Sequence, residues 1–221
     1  MDKLKRQINK LIAKLITPMQ STVILFLNLT KLRKLERTKA KNWVATGCPT
    51  PVPHLIKQLT IIDNKIKYDY SIFVETGTYL GEMVEAMRTH FHKVYSIELG
   101  EKLYLNAINR FRGDTKVQIH LGDSGKVLPI LLKEITEPAI FWLDGHYSYG
   151  ITAKGEKDCP VFEELDAILK NKLPHVILID DARCFNGTND YPSIEQLYQF
   201  IKTQNPDYKL EVKYDIIRFS I

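Results

Sequence analysis

Short apolar strands that alternate with helical segments constrain the fold of this chain more than any other feature. Five strands are predicted near residues 71–75, 93–98, 117–121, 138–144 and 174–180. Helices are predicted near residues 80–90, 101–111, 124–135, 160–171 and 192–204. Such an alternation predicts a doubly wound, Rossmann-like α/β fold with a mostly parallel sheet and helices on both faces.

The pattern changes after the last of these helices. Tyr208–Lys213 and Asp215–Ser220 have the composition of two strands joined by a tight turn. Strands joined by so short a turn pair antiparallel. The sequence therefore predicts an antiparallel hairpin at one edge of the sheet.

Every predicted parallel strand ends in, or is soon followed by, a carboxylate. In chain order these acids are Glu75, Glu98, Asp123, Asp144 and the pair Asp180–Asp181. Open α/β sheets bind ligands beyond the carboxyl ends of their strands. The acids therefore mark the edge at which we expect a ligand site.

The turn after the first strand contains two glycines, Gly77 and Gly81. Glycine lets the backbone approach a ligand closely, and the N-terminus of the next helix offers unpaired N–H groups. Short glycine patterns recur by chance, so this turn alone is weak evidence. Its significance depends on the acids that follow.

The spacing of two of those acids indicates a nucleoside ligand. Glu98 follows Gly77 by 21 residues and ends the second strand, where a carboxylate can accept both hydroxyls of a ribose. Asp123 follows the third strand, where an acid can accept from an adenine amino group. The alternatives are a surface acid at Glu98 and a helix N-cap at Asp123.

The motif Glu75–Gly81, together with Glu98, Gly122–Asp123 and the closing hairpin, resembles the class I S-adenosylmethionine-dependent methyltransferases over about residues 54–221. The resemblance implies a seven-stranded sheet with an antiparallel last strand. It implies that the loop meets the methionine part of S-adenosylmethionine, Glu98 the ribose and Asp123 the adenine. Tyr79 departs from the family pattern, which often has a further glycine within this loop. The predicted cofactor-binding residues are Glu75, Gly77, Thr78, Tyr79, Gly81, Glu98, Asp123, Ser124 and Asp144.

A narrower resemblance concerns several short segments that together form a long motif. They are Phe141–Ser148, Thr152, Gly155, Asp158–Pro160, Glu164–Leu165 and Ile179–Arg183. They are similar to a bacterial methyltransferase group related to the macrocin-type sugar O-methyltransferases. The resemblance implies methylation of a hydroxyl on a sugar, a glycan or a small metabolite, without identifying the acceptor.

The acids after the fourth and fifth strands predict a cation site. These strands are neighbours in a sheet of this kind, so Asp144, Asp180 and Asp181 would converge. Three carboxylates so close repel one another unless a proton or a cation intervenes. Mg²⁺ suits such an all-oxygen site, and metal-dependent sugar methyltransferases bind an ion with aspartates at similar strand ends. His146 departs from their pattern, because they tend to have an acid there.

His146 is also a candidate general base. Its ordinary pKa of roughly 6.5 suits removal of a hydroxyl proton near neutral pH. The alternative is a histidine hydrogen-bonded within a loop. The predicted catalytic residues are His146, Asp144 and Asp180, and the polar segment Tyr147–Lys157 is predicted to be a lid over the site.

The charge is distributed unevenly over three predicted regions: an extension (1–42), a linker with a cleft-covering helix (43–70) and the core (71–221). Residues 1–42 contain eleven basic and two acidic residues, a net charge of +9, which leaves −4 for the rest of the chain. The extension has the pattern of a basic amphipathic helix. Such a helix lies on an anionic membrane surface, or packs on the core or in a homodimer.

Charge and cysteine content narrow the classes of function and the cell compartment that fit this chain. The net charge of −4 over residues 43–221 argues against nucleic-acid binding by that part of the chain. Three widely spaced cysteines suit a reducing compartment, so we predict a cytoplasmic protein, with peripheral contact at the inner membrane face as an option. Two other functions stay open: an NAD-dependent dehydrogenase, because Glu98 could hold an NAD ribose, and a non-catalytic, membrane-associated binding module. The missing Gly-x-Gly-x-x-Gly and the hairpin argue against the dehydrogenase.

Overall fold

The computed structural model describes residues 34–145 and 159–221. The chain divides into two compact units, one that ends at Ile56 and one that spans Lys57–Ile221. In the first unit, residues 34–45 form helix α1, so the predicted boundary at residue 42 falls inside a helix. The Trp43 indole donates a hydrogen bond to the carbonyl oxygen of Pro49, at 2.5 Å.

The described residues that follow form seven strands and six further helices. The strands are β1 (Ile72–Thr76), β2 (Lys93–Glu98), β3 (Val117–Leu121), β4 (Ala139–Leu143), β5 (Val176–Ile179), β6 (Lys209–Lys213) and β7 (Ile216–Ser220). The helices are α2 (His54–Tyr68), α3 (Glu82–Met87), α4 (Glu101–Arg110), α5 (Ser124–Leu131), α6 (Val161–Lys170) and α7 (Ile194–Gln204), with a 3₁₀ turn at Ala182–Cys184. No helix of the described residues is both long and apolar enough to span a bilayer.

The strands form one sheet in the order β3-β2-β1-β4-β5-β7-β6. The first five strands are parallel, and β7 pairs antiparallel with both β5 and β6. This confirms the predicted fold, including the terminal hairpin. Helix α3 is shorter than predicted, because the chain turns after Met87 and His92 already donates a hydrogen bond to Ser71 beside β1.

Successive residues of the central strands bury their side chains on opposite faces of the sheet. Val74 and Phe141 belong to a core that also includes side chains from α5, α6 and α7. Phe73 and Ile140 belong to a second core, with side chains from α2, α3 and α4. Full burial on both faces explains why these strands are continuously apolar until the acid at the end. Because β1 to β5 are parallel, their carboxyl ends lie at the same edge of the sheet.

Candidate cofactor and acceptor site

The turn after β1 lies against the end of β4. Gly77 has φ +85°, and its N–H donates to the carbonyl oxygen of Ile97, at 2.9 Å. A Cβ atom at Gly77 would lie 2.9 Å from the carbonyl carbon of Asp144 and 3.2 Å from the Cα of Gly145. Both neighbours are backbone, which cannot rotate away. Only glycine fits here, and its absent side chain lets the two strand ends meet.

Tyr79 adopts a backbone conformation typical of glycine. Its φ is +48°, in the left-handed region that costs a non-glycine residue about 1 kcal/mol or more. Its N–H donates to Oε2 of Glu98, at 2.8 Å, while the side chain is 45% exposed. Tyr79 thus takes a conformation that a glycine would adopt without strain.

A buried chain of hydrogen bonds fixes this loop to β2. Glu75 lies opposite Ser96 in the parallel pairing of β1 with β2, and Ser96 Oγ donates to Glu75 Oε2 at 2.7 Å. Thr78 Oγ1 lies 2.6 Å from the same Ser96 oxygen. Burial raises the pKa of Glu75 well above its usual value; the Ser96 hydrogen bond opposes this, and the negative charges of Asp144 and Glu98 add to it. Glu75 is therefore linked through Ser96 to Thr78 of the loop, and its contact with the cofactor stays a prediction.

Glu98 is held rigidly at the end of β2. Its Oε2 accepts from the Tyr79 N–H and its Oε1 from the Gly100 N–H, both at 2.8 Å. The residue is only 5% exposed, so the alternative of a surface acid is wrong. A carboxylate oxygen accepts two hydrogen bonds, so each oxygen has acceptor capacity beyond these backbone bonds.

Asp123 is the N-cap of α5. Its Oδ1 accepts from the Gly125 N–H at 2.9 Å, and the buried Ser124 begins the helix. The N-cap alternative is thus observed. Contact with adenine stays a prediction for Asp123 and Ser124.

The acid cluster consists of Asp144, Asp180 and Asp181, which follow β4 and β5. A lysine without a predicted role, Lys57, lies beside it. Lys57 Nζ donates a hydrogen bond to Asp180, which is 1% exposed, and lies 3.9 Å from Oδ1 of Asp181. Burial lowers the pKa of Lys57, but the charge of Asp180, and more weakly those of Asp144 and Asp181, outweighs it, so the pKa is raised. Burial also raises the pKa of Asp180, and the lysine opposes that shift. All three predicted acids therefore stabilise the positive charge of one ammonium group.

Asp181 is paired with an arginine. Its φ is +55°, and its Oδ1 accepts from Nη1 of Arg183 at 2.8 Å. The same guanidinium also binds Asp215. Arg183 therefore pairs with two aspartates, Asp181 and Asp215.

These pairings do not suit a magnesium ion. Asp180 and Asp181 carry ion pairs to Lys57 and Arg183, which leave little negative charge for a divalent cation. In residues 34–145 and 159–221, no group of three or more histidine, cysteine, aspartate or glutamate side chains is arranged to hold a metal. The predicted Mg²⁺ is thus not supported. His146 and the predicted lid Tyr147–Lys157 lie outside the described residues, and their roles stay predictions.

Glu164, which belongs to the narrower motif but has no predicted role in the site, lies in the first turn of α6. It is buried, and a Cβ atom at Gly145 would lie 3.2 Å from its Oε1 and 3.1 Å from Thr76 Oγ1. Glu164 therefore adds a carboxylate behind the end of β4. Its burial depends on how α6 docks, which the local sequence pattern does not reveal.

Comparison with known proteins places the fold. No protein-family model and no curated protein sequence matches the chain. Solved structures do match. The O-methyltransferase TomG from Streptomyces achromogenes, in complex with S-adenosylmethionine, aligns with a TM-score of 0.52 and 14% identity, over 84% of this chain and 88% of TomG.

Two further structures agree. An O-methyltransferase from Bacillus cereus, in complex with S-adenosylhomocysteine, aligns with a TM-score of 0.52 and 15% identity, over 84% of this chain and 90% of that one. The N-methyltransferase NodS from Bradyrhizobium japonicum, also with S-adenosylhomocysteine, aligns with a TM-score of 0.50 and 12% identity, over 84% and 97%. Together with the strand order and the loop at Gly77, these alignments show that the chain has the class I S-adenosylmethionine-dependent methyltransferase fold.

Proposed function

We propose that this protein transfers a methyl group from S-adenosylmethionine to a hydroxyl of a sugar, a glycan or a small metabolite. The observation that carries the proposal is the buried carboxylate of Glu98, held by two backbone N–H groups beside the Gly77 loop. A carboxylate fixed at the end of the second strand suits a ribose, and its rigidity lowers the ordering cost of binding.

The neighbouring residues fit the rest of such a cofactor. S-adenosylmethionine carries a positive sulfonium and a positive amino group, and Glu75 and Asp144 offer carboxyl groups next to the loop. The glycine at position 77 keeps the loop close to the end of β4. Asp123 and Ser124 stand at the adenine end. When bound, the cofactor supplies a methyl group on a sulfonium that leaves as a neutral thioether.

The chain's own residues then have two tasks. They must align the acceptor oxygen with the methyl carbon, and they must take up the hydroxyl proton. Asp180 suits the second task, because burial raises the pKa of its carboxyl group. Asp144 and His146 remain the other predicted catalytic residues.

The strand order separates this proposal from the dehydrogenase alternative. In the dinucleotide-binding fold the sheet has the order 3-2-1-4-5-6. Here the antiparallel β7 lies between β5 and β6. A cytoplasmic location, membrane contact through residues 1–42 and a homodimer stay predictions.

Titration calorimetry of the full chain tests the proposal. We expect S-adenosylhomocysteine to bind and NAD⁺ not to bind. Charged hydrogen bonds contribute about 1.5–3 kcal/mol, so Glu98→Gln should weaken S-adenosylhomocysteine binding by roughly 10- to 100-fold. The exposed Glu101, three residues further on, gives the matched control Glu101→Gln, which should bind normally. NAD⁺ binding alone, or unchanged affinity in Glu98→Gln, would refute the assignment.

A further inference from the structure

Lys57 reaches the acid cluster from outside the strand–helix repeat. It lies in the first turns of α2, four residues before the fully buried Ile61, so both side chains point to the same face of the helix. Its hydrogen bond to Asp180 joins residues 123 positions apart in the chain. The Lys57 side chain is 18% exposed and that of Asp180 is 1% exposed. The ammonium group therefore lies at the mouth of the cluster, with the aspartate behind it.

The cluster is also joined to the candidate cofactor loop. The negative charge of Asp144 helps to raise the pKa of Lys57. The backbone of Asp144 is also the neighbour that leaves no room for a side chain at Gly77. The ammonium group is thus close to the strand end that the Gly77 loop contacts. An ammonium has three N–H donors, and within the described residues Asp180 accepts the hydrogen bond of this one.

We propose that Lys57 takes the place of a divalent metal ion: its ammonium group neutralises the cluster and binds the acceptor hydroxyl beside Asp180. This inference rests on the proposed function. Both cations do the same electrostatic work, because each stabilises negative charge that develops on the acceptor oxygen. The difference is that a lysine is part of the chain, so the cation position is filled without any metal.

Titration of the full chain with Mn²⁺ alone tests the inference. Mn²⁺ prefers the same oxygen ligands as Mg²⁺ and is detected directly by its electron paramagnetic resonance signal. We expect the wild-type protein to bind no Mn²⁺ at this cluster below ~1 mM, the weak end of protein cation sites. Lys57→Met removes the competing charge, so its Mn²⁺ affinity should rise at least about ten-fold. The double variant with Asp180→Asn should lose that gain.

Two controls separate charge from packing. Lys57→Arg keeps the positive charge and should bind as little Mn²⁺ as the wild type. Lys67→Met removes an exposed lysine at the other end of the same helix and should change nothing. A gain in Lys57→Met but not in Lys57→Arg would show that the loss of positive charge, and not a change in packing, admits the metal.

Two outcomes would overturn the inference. One is micromolar Mn²⁺ binding by the wild-type protein that Asp180→Asn abolishes. The other is a folded Lys57→Met variant without any gain. The wild-type titration keeps the inference falsifiable even if Lys57→Met does not fold. Since no cofactor is present, failure here is distinguishable from failure of the S-adenosylhomocysteine titration that tests the proposed function.

Discussion

Replacing Gly77 by alanine tests whether the contact between the loop and β4 shapes the site. Two costs are expected. The residue has φ +85°, and a non-glycine residue in the left-handed region costs about 1 kcal/mol. In addition, the new Cβ atom would lie 2.9 Å from the Asp144 carbonyl carbon, and such overpacking costs about 1–3 kcal/mol. Gly77→Ala should therefore lower the free energy of unfolding by about 2–4 kcal/mol.

Gly113 is a matched control for the conformational cost. Its φ is +84°, and no heavy atom of the described residues lies within 4 Å of its added Cβ atom. Gly113→Ala should therefore lose only about 1 kcal/mol. Urea unfolding of both variants gives the two values, and their difference measures the contact with Asp144.

Cofactor binding should separate the same two variants. To relieve the clash, the loop of Gly77→Ala must move away from β4, so its S-adenosylhomocysteine affinity should fall by at least about ten-fold, the factor that corresponds to 1.4 kcal/mol. Gly113→Ala should bind normally. Equal losses of stability, or normal binding by Gly77→Ala, would refute the reasoning.

Three further predictions concern strain and protonation. Tyr79→Gly removes left-handed strain, so the loop should keep its course and S-adenosylhomocysteine binding should persist; its loss in calorimetry would show that the tyrosine side chain itself is needed. Burial lowers the pKa of His175 to about 4, below an unfolded value of about 6.5, so stability should be complete above that value and fall between pH 6.5 and 4, by about 2 kcal/mol at pH 5. Urea unfolding at pH 7 and 5 measures this, and a His175→Gln variant with the same pH dependence would contradict it. Burial also raises the pKa of Glu75, so a bound cationic cofactor should release a proton; calorimetry in buffers of different ionisation enthalpy detects it, and identical heats would refute it.

The sequence predicted what depends on local pattern. Five apolar runs that each end in an acid were enough to predict the parallel sheet, because burial on both faces leaves a continuous hydrophobic signal. The acid that ends β2 was found in the same way. Its two backbone partners were not foreseen, because they depend on how the Tyr79 and Gly100 turns fold over Glu98.

The sequence did not predict what depends on distant segments. Lys57 was one of many basic residues, and only the docking of α2 brings it to Asp180. The ion pair of Arg183 likewise depends on Asp215, 32 residues further along the chain. The sequence thus predicted correctly that the acid cluster needs a cation nearby. If Lys57 acts as we propose, that cation is a lysine and not the expected metal ion.

A crystal structure of the protein with S-adenosylhomocysteine tests the central claim most directly. We expect the ribose hydroxyls to lie within hydrogen-bonding distance of the Glu98 carboxylate, with the amino acid part along the Gly77 loop. A nucleoside bound elsewhere, or a ribose without contact to Glu98, would contradict the account.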